Sequence, residues 1–381
     1  MSAIQKYTNK KGTFYKFQLY VGTDPITGRR IKTTRSGFKT KKEATLSKSR
    51  LQLEIEKNGF KTQVLDTYQD VYTIWIKNYE NTVKESSFVK TERLFRNHIL
   101  PYFSKMRIEK IDILTCQKFI NQLFKKLKRF KMTFNYTSLV FDYALTLGLI
   151  DKNPCNGVTV PVKIEKHSKI EPSNFYNKQE VIHFLECMKS DKHFKAYTLF
   201  RVLTYTGMRK GELLALTWKD INFKDCSLSI NKTLSRGKDS RLVVQTPKTK
   251  NSLRSISLDD ETIIILQQWR KIQKKEYMIL GYNTLNSDQL VFSNEQNSFL
   301  QPTKTRKWLV ACQNKHDLKK ITTHGFRHTH CSLLFEAGVP LERVQERLGH
   351  SDIQTTMNIY THVSEKSKEK TALDFANYMN Y

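Results

Sequence analysis

Three segments in the second half of the chain carry residue types that could do chemistry on an anion. The first is TYTGMRKGELLALTWKDIN, where Gly207 breaks one helix and Arg209 stands at the entry of the next. An arginine at a helix N-terminus joins free backbone amides to a guanidinium fork, and both attract anions. Leu213, Leu214 and Leu216, with Trp218, are expected to bury the far side of that helix. Glu212, three residues after Arg209, shares nearly the same face and can orient that arginine or pair with a neighbour at the surface. The second segment is SLSINKTLSRGKDSRLVVQTPKTKNSLRSISL. Its alternating runs, parted at Gly237 and at Lys238–Ser240, predict a sheet of two or three antiparallel strands. Thr246-Pro247-Lys248-Thr249 falls where two strands turn over, which puts Lys248 on a tip able to reach a bound backbone. The third segment is THGFRHTHCSLLFEAGVPLERVQERLGHSDIQTTMNIYTHV. His324 and His328 have the i, i+4 spacing of a helical zinc pair, with His330 and Cys331 close by. Against a metal, no HExxH glutamate and no second thiol pair accompany them, and Arg327 between the two histidines would oppose a dication. His328 and His330 therefore read as packing or DNA-facing residues, and neither a metal nor a cofactor is expected.

The elements that must carry these residues fall into separate runs. Residues 1–62 read as a small three-stranded sheet with one helix. TFYKFQLYV alternates, with Tyr15, Phe17, Leu19 and Val21 on one side and Phe14, Lys16, Gln18 and Tyr20 on the other. DPITGRR is a hairpin turn, RIKTTRSGF a returning strand, and KKEATLSKSRLQLEIEKNG a helix ending at Gly59. Such a sheet would offer Arg29, Arg30, Lys32 and Arg35 to a DNA groove. Residues 63–160 read as all-helical, because VYTIWIKNYE, SSFVKTERLFRNHILPYF, TCQKFINQLFKKLKRF and TFNYTSLVFDYALTLGLI repeat apolar residues at three- and four-residue spacing. The last of these helices should stop at Gly148 or soon after. Residues 161–177, with two prolines and no period, form the expected linker, and 178–381 the remaining domain, opening on the helix NKQEVIHFLECMKSD.

Charge narrows the partners. The 381 residues carry 65 Lys+Arg against 36 Asp+Glu, a formal net charge of +29. The first 62 residues alone contribute +11. A surface so self-repelling points to a polyanion, nucleic acid first. A membrane surface would call for a basic amphipathic helix or a lipidation site, and neither is evident. No long apolar run exists and MSAIQKYTNKKG lacks the core of a secretory signal, so a cytoplasmic location is expected. The six cysteines contain no CxxC pair and read as reduced, packed thiols.

The third segment resembles the tyrosine recombinases of the phage-integrase type. The likeness rests on His324-Gly325-Phe326-Arg327 as their HxxR box, on Leu348-Gly349-His350, and on Tyr360 ten residues after that histidine. TGMRKGEL is similar to the family's first-arginine box, and the TPKT turn to its lysine-bearing hairpin. The resemblance covers about residues 175–365. The upstream layout is similar to integrases of phages and conjugative transposons, with an arm-binding domain and a helical, SAM-like core-binding domain. It implies a multidomain protein, mainly α with small β-sheets, ending in an α+β catalytic domain. It implies a site-specific recombinase that cleaves and rejoins DNA through a 3′-phosphotyrosine, integrating and excising a mobile element.

The family's chemistry explains the residue types. A tyrosine hydroxyl has a pKa of about 10 and is a poor nucleophile at neutral pH. Arg209 and Arg327 would hold the non-bridging oxygens, His324 would hydrogen-bond the phosphate or take the tyrosine proton, and His350 would complete the cradle. Lys248 is the candidate general acid for the departing 5′ oxygen, and Tyr360 the nucleophile. The covalent bond conserves the phosphodiester energy, so religation needs neither ATP nor metal. The implied partners are double-stranded core and arm attachment sites and three further copies of the chain in a tetramer on DNA. The tail TALDFANYMNY, with Ala372, Phe375, Ala376 and Met379 at helical spacing, would dock on a neighbouring subunit or fold back on its own domain. An excisionase and a host DNA-bending protein are compatible with this assignment. Two rival classes are a type IB topoisomerase, which shares the chemistry, and a non-catalytic DNA-binding regulator, which would usually have lost one of the six catalytic residues.

Overall fold

A computed structural model describes residues 4–9, 12–23, 30–58, 65–162, 173–247, 252–349, 357 and 379. The chain divides into two compact units, Met1–Thr82 with Thr91–Val162, and Val83–Lys90 with Lys163–Tyr381.

The first unit begins with an antiparallel sheet of β1 (Gln5–Asn9), β2 (Gly12–Thr23) and β3 (Arg30–Phe38), ordered as in the sequence. The alternation in β2 decides which face is covered. Phe17, Leu19 and Val21 are buried, whereas Tyr20 is exposed. Helix α1 (Lys41–Asn58) lies on that apolar face through Ala44, Leu51 and Ile55. Its start is fixed by Thr40, whose hydroxyl accepts the Glu43 amide, while the Glu43 carboxylate accepts the Lys39 amide.

The helical part holds α2 (Tyr68–Glu80), α3 (Glu85–Leu94), α4 (Leu100–Phe103), α5 (Ile113–Lys126) and α6 (Phe130–Thr146). A π turn over Phe95–Ile99 joins α3 to α4. Pro101 has no amide hydrogen to give to the preceding turn, which accounts for the loosened ladder there. The helix expected through TCQKFINQLFKKLKRF ends early, at Lys126, and the helix expected from TFNYT onward begins three residues sooner. Leu127 adopts an extended conformation (φ −125°, ψ 132°) and closes α5, and α6 begins at Phe130. The final helix stops at Thr146, two residues before Gly148, whose φ of +66° takes the left-handed form that ends helices. Tyr68, Phe103, Phe119 and Phe141 form an aromatic centre, with ring centroids 4.8–5.9 Å apart.

The second unit contains α7 (Lys178–Ser190), α8 (Phe194–Thr206) and α9 (Lys210–Leu214). Strands β4 (Ile221–Asn222), β5 (Ser227–Ile230), β6 (Thr233–Arg236), β7 (Leu242–Gln245) and β8 (Arg254–Ser257) follow. Helices α10 (Asp260–Ile279), α11 (Pro302–Lys315), α12 (Gly325–Glu336) and α13 (Leu341–Leu348) complete it. The strand run forms two sheets rather than the single expected one, β4-β5-β8 and the separate hairpin β6-β7. The chain leaves the first sheet after Ile230, where Asn231 and Lys232 both turn to the buried Asp220 carboxylate. Helix α9 is only five residues long, so Leu216 and Trp218 lie beyond it, though both are buried as expected. Phe326 in the first turn of α12 is fully buried against Phe184 of α7 and Phe200 of α8. That apolar anchor fixes where its neighbours His324 and Arg327 emerge.

Candidate active site

Arg327 is a buried cation, 3% exposed. Its Nη1 donates to the Gly207 carbonyl at 2.8 Å and its Nη2 to the Leu348 carbonyl at 2.6 Å. Both acceptors exist because a helix has just ended. Gly207, with φ +61°, closes α8, and Gly349, with φ +66°, closes α13, so the last carbonyls of each helix are free to accept. Arg209 caps α9 and reaches the same place. Its Nη2 contacts the Gly349 carbonyl at 3.5 Å, and its Nη1 pairs with Glu212 at 3.0 Å. The two arginines, expected from the sequence on separate segments, are thus tied to consecutive carbonyls of one chain turn.

Glu212 is 3% exposed and so is no surface partner. One oxygen binds Arg209 and the other accepts from Arg254 Nη2 at 3.0 Å. Burial alone would push its carboxyl up, but Arg254 and then Arg209 outweigh burial and hold it below its ordinary value. Arg254 was not singled out by sequence reasoning. It also donates to the carbonyls of Arg347 and Ser252. Its only sequence signal was an arginine opening a short strand, too common to select it.

His324 stands before α12 and meets His328 edge-on, with centroids 4.8 Å apart. Burial, then the neighbouring His328, Arg327 and Arg209, pull its pKa down to about 4. The imidazole is therefore neutral at physiological pH and can accept a proton or donate one hydrogen bond. His330 belongs to the packing. Its Nδ1 donates to the Thr204 carbonyl at 2.8 Å, and its Nε2 accepts from Arg347 at 3.1 Å.

Arg209, His324 and Arg327 are brought together, since Arg209 and Arg327 both act on the His324 imidazole. Lys248, His350 and Tyr360 lie outside the described residues. So do Arg29 and the tail helix expected after Tyr360, apart from Met379. Arg30, Lys32 and Arg35 are exposed on β3 but do not share a face. Lys32 sits opposite Tyr20, on the outer side with Arg30, whereas Arg35 sits opposite Phe17 on the side α1 covers. Period-two alternation puts residues 30 and 32 together and residue 35 across from them.

The described groups near His324 comprise three guanidiniums, two imidazoles and one carboxylate. Such a pocket suits an anion with several equatorial oxygens, and the second unit is an anion-handling catalytic domain of mixed α and β structure. Comparisons with known proteins specify it. Residues 174–367 match the Phage integrase family, 67–124 the Phage integrase N-terminal SAM-like domain, and 4–55 the Arm DNA-binding domain. The chain is 31% identical to "Tyrosine recombinase XerC-like" of Caldanaerobacter subterraneus subsp. tengcongensis, over 97% of both chains. It is 29% identical to "ICEBs1 integrase" of Bacillus subtilis, over 94% of this chain and 95% of that one. Its fold superposes with a TM-score of 0.66 on the Tn1549 transposon integrase in complex with a circular intermediate DNA, at 22% identity, covering 77% and 95% of the two chains. The score is 0.56 against a lambda integrase tetramer bound to a Holliday junction, at 16% identity and covering 93% and 94%.

This chain belongs to the phage integrase family of tyrosine recombinases, enzymes that cleave and rejoin DNA. It is an integrase. No helix among the described residues is long and apolar enough to cross a membrane.

Proposed function

We propose that this integrase joins DNA through a 3′-phosphotyrosine formed at Tyr360, with Arg209, Lys248, His324, Arg327 and His350 as the supporting set. The observation that carries this reading is the meeting of Arg209 and Arg327 at the carbonyls of Gly349 and Leu348, immediately before His350 in the chain. Two guanidiniums in one pocket offer planar donor pairs to the non-bridging oxygens, where negative charge grows as phosphorus becomes five-coordinate. The Tyr360 oxygen attacks phosphorus and gives its proton to neutral His324. The bond to the 5′ oxygen breaks, and Lys248 supplies the proton that oxygen needs. In the return step a 5′ hydroxyl from a second duplex attacks the phosphotyrosine and restores the phenol. His350 donates a further hydrogen bond to the phosphate.

Residues 1–62 bind arm-type sites, with Arg30 and Lys32 on the outer sheet face and Arg29 and Arg35 as further contacts. Residues 63–160 and 178–381, joined by the linker 161–177, clamp the core site. Recombination takes place in a tetramer of this chain on DNA. Excision, aided by an excisionase and a host bending protein, uses the same cleavage chemistry in reverse orientation. The test is a suicide substrate nicked beside the attachment site, the site itself being found by sequencing integration junctions. Wild type should give a covalent protein–DNA band and Tyr360→Phe none. Wild type without the band refutes the nucleophile assignment; plasmid relaxation without recombinant product would make the chain a topoisomerase.

A further inference from the structure

A second cluster of reactive side chains lies among the helices of the catalytic unit and takes no part in the chemistry above. Asp191 follows the last residue of α7, and His316 follows the last residue of α11. One turn before His316, Cys312 is buried, 2% exposed. A carboxylate oxygen of Asp191, the Cys312 sulfur and a ring nitrogen of His316 all lie within 4.8 Å of one another. One pair is already in contact, His316 Nε2 and Asp191 Oδ1 at 3.1 Å. Cys187, one turn before Asp191 on α7, is also buried, and its thiol is near enough to affect that of Cys312.

We propose that Asp191, Cys312 and His316 bind a divalent transition ion of the zinc class, pinning the end of α7 to the end of α11.

Three features support this. The donor set is one thiolate, one imidazole and one carboxylate, the borderline-soft mixture zinc prefers over magnesium or calcium. Tetrahedral bonds of 2.0–2.3 Å require donor separations of roughly 3.3–3.8 Å. The three atoms therefore close on an ion by rotamer adjustment of the Cys312 and Asp191 side chains, and water or Cys187 supplies a fourth ligand. The site is also cation-seeking as it stands. Asp191 and His316 stand at the C-termini of two helices, where the helix dipole favours a cation. Lys315 already places its ammonium on the same Asp191 oxygen, and because that lysine is well exposed it can swing to solvent when an ion arrives. On binding, the Cys312 thiol releases its proton to water and the sulfur takes up the metal bond. The chain runs from His316 through residues 317–323 directly to His324, so an ion here braces the base of the segment that delivers the active-site histidine.

The experiment uses full-length, tag-free protein titrated with Co²⁺ as the optical probe and then with Zn²⁺. One equivalent of Co²⁺ should produce the visible bands of tetrahedral cobalt and a near-ultraviolet thiolate-to-cobalt band, both erased by Zn²⁺. His316→Gln and Asp191→Asn, at partly exposed positions that should fold, should weaken binding by at least about 10–100-fold, the loss even an outer-shell partner commonly produces. Cys312→Ser should abolish the thiolate band. His328→Gln should leave the cobalt spectrum and the affinity for the ion unchanged, and Zn²⁺ should raise the melting temperature of wild type but not of His316→Gln. Absence of the thiolate band, or its survival in both His316→Gln and Asp191→Asn, or its loss in His328→Gln instead, overturns the assignment.

Discussion

Among the described residues Glu212 is the carboxylate that pairs with the guanidiniums of the proposed active site, and its removal should be severe for a calculable reason. Its two oxygens accept from Arg209 and Arg254 at 3.0 Å each, and one also accepts the Arg209 amide at 2.9 Å. The Arg254 side chain is only 6% exposed, so Glu212→Ala leaves a buried cation without its counter-ion. Breaking one side of a buried pair typically costs about 3–5 kcal/mol, a large share of the roughly 5–15 kcal/mol that holds a domain together. Glu212→Gln keeps the volume but turns an amino group toward a guanidinium, so it should fall between wild type and Ala. The double variant Glu212→Gln/Arg254→Met removes the stranded charge and should be more stable than Glu212→Ala alone. Urea unfolding of wild type, these three variants and Arg254→Met, with midpoints and slopes, measures this. Cleavage of a suicide substrate should fall as well, though by less than the about 10²–10³ expected for losing the Arg209 donor itself. A Glu212→Ala cost below about 1 kcal/mol, or a double variant whose loss equals the sum of the singles, would refute the account of a buried, neutralised cluster.

Three further outcomes can be checked. Burial, then Arg347, draws the His330 pKa from 6.5 down to about 3, so between these values the unfolded chain binds a proton that the folded chain refuses. Stability should therefore be lost as pH falls below about 6.5, by roughly 2 kcal/mol at pH 5 from this residue, and His330→Asn should flatten that slope in urea midpoints taken across the range. Gly207→Ala would force a side chain into left-handed backbone and bring its Cβ to 2.6 Å from His330 Cδ2, displacing the carbonyl that Arg327 uses. It should cost about 1–3 kcal/mol in thermal or urea melts and depress cleavage more than DNA binding; unchanged melting would contradict the strain. Deleting residues 1–62 should abolish integration while core-site cleavage persists, and equal loss of both activities would contradict separate arm and core binding.

How much of this could be read in the sequence depended on whether the signal was local. The alternation Phe17, Leu19, Val21 is a period of two, and it correctly gave the buried face of the N-terminal sheet. The HxxR spacing in α12 is equally local, because one helical turn fixes where His324 and Arg327 stand relative to each other. Breaks set by tertiary demand were hidden. Nothing within TCQKFINQLFKKLKRF announces that Leu127 turns extended, and nothing in the strand run announces that Asp220 pulls Asn231 and Lys232 out of the first sheet. The Glu212–Arg254 pair is separated by 42 residues, and Cys312–Asp191 by more than a hundred, so neither shows a spacing that sequence inspection could test.

The contrast between Arg254 and Arg327 explains how one pocket holds several cations and still has charge to offer. Both are buried, but their partners differ in kind. Arg254 meets a carboxylate and is neutralised, which makes it scaffold. Two N–H groups of Arg327 instead donate to carbonyls, which orient a guanidinium without cancelling its charge. Burial, then Arg209, lowers the Arg327 pKa, so the positive charge is held in place at an energetic cost while no anion is bound. In the proposed mechanism a phosphodiester bound between Arg209 and Arg327 would relieve that cost, and the relief would grow as the transition state adds negative charge. Helix ends are the economical source of such acceptors, because their last carbonyls must find donors in any case. The left-handed glycines at 207 and 349 thereby link the helix terminations of this sequence to its chemistry.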